Sequence, residues 1–102
     1  MILLCGQGQS LSLDDDENFK AFDIVIAENG PADPMENGAF AGMAEAAEEP
    51  GHYWIDAEKV VGLSGRVDDP VWKGKFQDML KAVEKYGYSD LSKGLIKAHV
   101  KS

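Results

Sequence analysis

Met1-Ile2-Leu3-Leu4-Cys5-Gly6-Gln7-Gly8-Gln9-Ser10-Leu11-Ser12 is the stretch whose continuation decides the fold. Ile2 to Cys5 is a short apolar run stopped by Gly6 and Gly8, the pattern of a buried strand. Leu11 to Ala21 then reads as a short helix. Ser10 or Ser12 can cap it, and Asp14, Asp15, Asp16 and Glu17 would crowd its first turns at the positive end of the helix dipole. A strand followed by a helix sets up a parallel crossover, so this reading leads toward an α/β arrangement.

The same grammar carries on along the chain. Phe22 to Ala27 is β-prone, and Asn29-Gly30-Pro31 stops it; Ile24 to Ala27 lacks alternation, as in a strand covered on both faces. Asp33-Pro34 with Glu36 forms a capping box for a helix whose apolar face is Phe40, Met43, Ala44 and Ala47. Asn37-Gly38 and Gly42 interrupt it, so its start could lie after Gly38. His52 to Ile55 is a third strand, and Asp56 caps a helix from Ala57 to Leu63, ended by Ser64-Gly65. Asp69-Pro70 starts the clearest element, a helix from Pro70 to Tyr86. Its apolar stripe is Val71, Trp72, Phe76, Met79, Leu80, Val83 and Tyr86, and Gly87 is its stop. Ile96, Ala98 and Val100 alternate with Lys97, His99 and Lys101, the mark of a half-exposed edge strand.

The order β-α-β-α-β-α-α-β predicts one domain over residues 1–102, a small α/β sandwich of three to four short strands with helices. A ferredoxin-like α+β fold, with the last strand inserted antiparallel, is the alternative. The longest apolar run, Met1 to Cys5, falls far short of the ~18 residues of a membrane span. No basic residue precedes it, so it does not read as an export signal. Cys5 is the only cysteine, and a reducing, cytoplasmic setting is expected.

Charge divides along the chain. Residues 1–58 hold thirteen carboxylates and one base, a net of −12; residues 59–102 hold nine bases and five acids, a net of +4. Two halves packed together with complementary fields would explain this division. A docking surface for a charged partner is the sharper reading, with Asp14, Asp15, Asp16, Glu17, Glu45, Glu48 and Glu49 as its candidates. A net charge of −8 disfavours nucleic acid as a ligand of the whole domain.

Candidate chemistry centres on Cys5-Gly6-Gln7-Gly8-Gln9-Ser10-Leu11-Ser12. Between a strand and a helix, Gly6, Gly8, Ser10 and Ser12 could surround an anion with backbone N–H groups and hydroxyls, and Cys5 would be an activated nucleophile. Leu11 stands where a dinucleotide fingerprint needs glycine; no lysine precedes Lys20, and the only arginine is Arg66. These twelve residues or so resemble the phosphocysteine loop of the sugar phosphotransferase IIB domains, which are α/β and of similar size. The resemblance implies a phosphoryl carrier using Cys5. That family's long first helix and next strand do not fit between Ser12 and Phe22. A tight turn beside a buried, inert cysteine is the simpler reading.

Other patterns are weaker. His52 and His99 would approach each other if their strands pair, with Asp56 or Glu58 nearby, but no spacing of metal ligands accompanies them. Asp14, Asp16 and Asn18 mimic the start of a calcium loop, whose later positions are Phe19 and Val25. Tyr53, Trp54, Trp72, Tyr86 and Tyr88 are candidates for an aromatic pocket, or simply for the core. Tyr88 is expected to pack back over the end of the last helix. The sequence therefore predicts a small acidic binding or interaction module, with a basic protein or a second copy as partner and with no cofactor, metal or membrane. A small-molecule enzyme, or a phosphoryl carrier using Cys5, is the alternative.

Overall fold

Where the helix from Leu11 was expected, the chain turns back on itself. The structure, a computed structural model, describes residues 1–101. Strand β1 (Ile2–Cys5) is followed by a hairpin turn and strand β2 (Leu11–Asp14), antiparallel to it, with Leu3 opposite Leu13 and Cys5 opposite Leu11. Gly8, at φ 63°, takes the left-handed conformation that such a turn demands. The physical reason for the correction is a period of two: Leu11 and Leu13 face inward while Ser12 and Asp14 face water. Asp15, at φ 53°, ends the strand.

Strand β3 (Asp23–Ile26) lies parallel to β1, with Leu3 opposite Ile24. The long helix expected after Asp33 is broken into pieces. Asp33 and Glu36 do form their capping box, around a single 3-10 turn at Pro34–Glu36. Asn37 then caps helix α1 (Gly38–Ala41), and the chain runs into strand β4 (Ala44–Ala46). Asn37-Gly38 and Gly42 supply the breaks. Pro50-Gly51 turns β4 into strand β5 (His52–Asp56), with Ala44 opposite Ile55. Helix α2 (Ala57–Ser64) is capped by Asp56, and helix α3 (Pro70–Glu84) by Asp69, whose carboxylate accepts from the Trp72 amide at 3.0 Å.

Two short stretches complete the sheet: strand β6 (Ser89–Asp90) and strand β7 (Leu95–Lys101). The seven strands form one mixed sheet in the order β2-β1-β3-β7-β5-β4, with β6 also beside β7. This overturns both the three-to-four-stranded α/β sandwich and the ferredoxin-like alternative. β7 is not an edge strand: it pairs parallel with β3 on one side and antiparallel with β5 on the other. Its alternation reflects one covered and one open face rather than an exposed edge.

Register places Leu3, Cys5, Ile24, Ile55, Ile96 and Ala98 on one face, where Phe40, Val60, Trp72, Phe76, Met79 and Leu80 from the three helices cover them. Phe76 is fully buried, and burial of a side chain that size stabilises by roughly 1.5–3 kcal/mol. The α3 stripe is narrower than its sequence implied: Val71 and Tyr86 are each 68% exposed, and Val83 is half-buried. The opposite sheet face carries Ile2, Leu4, Val25 and Trp54 among Asp14, Asp23, Glu45 and Lys97. Among the described residues no helix is long and apolar enough to cross a membrane.

Candidate functional site

Two strands share one edge of β7 and leave a gap between them. β6 reaches as far as Ile96, opposite Ser89, and β3 begins at His99, opposite Asp23. Between these points the Lys97 amide donates to the Tyr88 carbonyl at 2.8 Å, and neither Lys97 nor Ala98 has a paired strand residue on this edge. A cleft of about 420 Å³ occupies this opening. Its apolar wall comes from Phe19, Phe22, Met79, Val83 and Ile96, so the loop before β3, helix α3 and β7 all contribute. Asp23, His52 and His99 stand on the rim, and Tyr88 closes one side.

The two histidines face each other across β5 and β7, as the sequence required if those strands pair. Their ring centroids are 4.7 Å apart at a tilt of 38°. His52 Nδ1 lies 3.1 Å from the Pro50 carbonyl, which can only accept; a hydrogen bond there requires the Nδ1–H tautomer, which in the neutral ring leaves the lone pair on Nε2. The His99 ring lies over Gly51, 3.5 Å from where a Cβ would stand. Asp56 and Glu58 line no part of this cleft. Among the described residues no group of three His, Cys, Asp or Glu side chains could hold a metal ion.

The Cys5 turn has a different character. Cys5 is fully buried in the core, and burial pushes its thiol up to about 11. The turn leads into a strand, so the helix N-terminus needed by an anion cradle does not follow it. Two of its amides are taken within the hairpin: Gly6 donates to the Ser10 carbonyl at 2.8 Å, and Ser10 to the Gln7 carbonyl at 3.0 Å. Gly8, Ser10 and Ser12 are exposed. Asn37, fully buried, bolts the turn by donating to the carbonyls of Gly6 (3.0 Å) and Ser10 (2.8 Å) while accepting from the Phe40 amide (3.0 Å).

The acidic candidates fall into two groups at opposite edges of the sheet. Asp14, Asp15, Asp16 and Glu17 lie at and after β2; Glu45, Glu48 and Glu49 lie in and after β4. The structure does not bring the seven together. Asp16 and Glu17 receive the guanidinium of Arg66 at 3.2 and 3.4 Å, and Glu49 receives Lys97 at 2.8 Å. The hydrogen bond from Lys97 holds the Glu49 carboxyl below its ordinary range. With Lys101–Asp23 at 3.8 Å, these pairs join the acidic part of the chain to the basic part. A smaller pocket of about 190 Å³ adjoins Arg66, whose guanidinium is already paired with Asp16, Glu17 and Asp69.

Among the aromatic candidates, Trp72 is core, stacked on Phe76 at 5.2 Å, and Tyr53 packs edge-on against Phe40 at 5.5 Å. Trp54 lies on the opposite sheet face under the Lys97 ammonium, 4.9 Å from it. Tyr86 is exposed, and Tyr88 reaches the cleft. The calcium-like residues serve the loop instead: Asn18 Nδ2 donates to the Asp15 carboxylate at 3.2 Å, and Trp72 Nε1 to the Asp16 carbonyl. Sequence reading missed Phe19, Phe22 and Asp23 as site residues. Comparison of the chain with protein-family models, curated proteins and solved structures finds no match.

Proposed function

We propose that this protein is a binding module whose recognition element is the cleft beside Lys97, between β6 and β3. The supporting observation is the opening of the sheet between β6 and β3, which lets an apolar space of about 420 Å³ end on a rim of Asp23, His52 and His99. Small-molecule sites have this composition: an apolar body with a few converging polar groups. The buried Cys5 thiol, pushed up to about 11, weighs against the phosphoryl-carrier reading. Amide chemical shifts recorded against a library of small fragments test the proposal. Binders should move the signals of Phe22, Tyr88 and His99 together; fragments that bind only elsewhere would refute it.

A second reading keeps the interaction module of the sequence, with Asp14, Asp15 and Glu17 exposed at the end of β2 as its contact for a basic protein. A lysine-rich peptide that shifts these residues and spares the cleft would favour it.

A further inference from the structure

We infer that the cleft takes a small organic cation, an ammonium group on an aromatic or aliphatic body; the inference rests on the cleft being the binding element. Five rings border the space, those of Phe19, Phe22, Tyr88, His52 and His99. The faces of phenyl and phenol rings attract cations. Asp23 is the one carboxylate on the rim, its side chain 25% exposed. Its nearest cation, Lys101, is 3.8 Å away, 69% exposed and outside the cleft lining, so it offers little competition.

The lysines of the lining do not reverse this. The Lys97 ammonium is bound by Glu49 and lies over Trp54, neither of which borders the cleft, so only its stem faces the space. Lys20 also lines the space, but it is exposed, and its flexible stem can carry the ammonium into water. In the neutral His52 ring, the hydrogen bond from Nδ1 to the Pro50 carbonyl leaves the lone pair on Nε2, which can then accept an ammonium N–H. The net charge of −8 draws cations toward the molecule from a distance.

Three probes of one shape, 2-phenylethylammonium, 3-phenylpropionate and 3-phenylpropan-1-ol, separate the alternatives in amide-shift titrations. The ammonium should bind tightest and move Phe22, Asp23, Tyr88 and His99. Asp23→Asn should weaken it about three- to fivefold, the size of one partly exposed ion pair, and leave the alcohol unchanged. Propionate or alcohol binding as tightly at the same signals overturns the cation while the cleft stands. Shifts confined to other residues, or none with any probe at about 10 mM, overturn both.

Discussion

The indole N–H of Trp72 donates to the main-chain carbonyl of Asp16 at 2.6 Å, across 56 positions of sequence. The same loop residue takes the Arg66 guanidinium on its carboxylate at 3.2 Å, so helix α3 and the linker before it both hold the chain after β2. Trp72→Phe keeps most of the apolar contact and removes the donor. It should cost roughly 1–3 kcal/mol, because the Asp16 carbonyl loses its partner. Trp72→Ala should cost about 3–5 kcal/mol. Urea unfolding measures both variants against the unmutated protein, and a Trp72→Phe midpoint equal to that of the unmutated protein would refute the role of the hydrogen bond.

Asn37 offers a sharper test, since one buried amide serves three backbone groups. Asn37→Ala should cost about 2–4 kcal/mol. Asn37→Asp should be worse at neutral pH, because a carboxylate would face the carbonyl oxygens of Gly6 and Ser10. If the aspartate variant melts above the alanine variant, the bolt is misdescribed.

Cys5 sets a limit at high pH. Its thiol is at about 11 in the folded protein against an ordinary value of 9.0, so the unfolded chain ionises first. Stability is unaffected below pH 9 and falls between pH 9 and 11, by at most about 2–3 kcal/mol. Cys5→Ala should lose this part of the alkaline decline, although it is less stable at neutral pH. Native-state alkylation at pH 7 should be slow; fast labelling would contradict the burial.

Salt gives a fourth measurement. Eighteen acids face ten bases, and the ion pairs among the described residues are few and only partly buried. Screening at ~500 mM against ~10 mM salt should therefore relieve more repulsion than attraction, and the melting temperature should rise. A fall would show that the pairs between acidic and basic segments dominate.

Helix α3 was legible because its signals are local: the Asp69 cap, Pro70, and the spacing of Trp72, Phe76, Met79 and Leu80. The same holds for Asp56 before α2 and for the box of Asp33 and Glu36. β2 was obscured because Ser10 and Ser12 serve equally as helix caps and as turn and strand residues, and four residues show only two cycles of alternation. β4 and β6, three and two residues long, carry no usable pattern, and their pairing partners lie elsewhere in the chain. The meeting of His52 with His99 was foreseeable once their strands were paired. The cleft was not, because it arises where the pairing of β6 stops and that of β3 starts, a relation between distant segments.

The central place of β7 also governs the order of assembly. The β1–β2–β3 group and the β4–β5 hairpin share a sheet only through residues 95–101, whose partners begin at Asp23 and His52. Neither group can complete its hydrogen-bonded ladder until the strand farthest along the chain threads between them. Such long loop closures slow the search for the native state. They also couple its parts: a fault introduced in β7 should loosen β3 and β5 to the same degree, so that their amides exchange with solvent at one common rate.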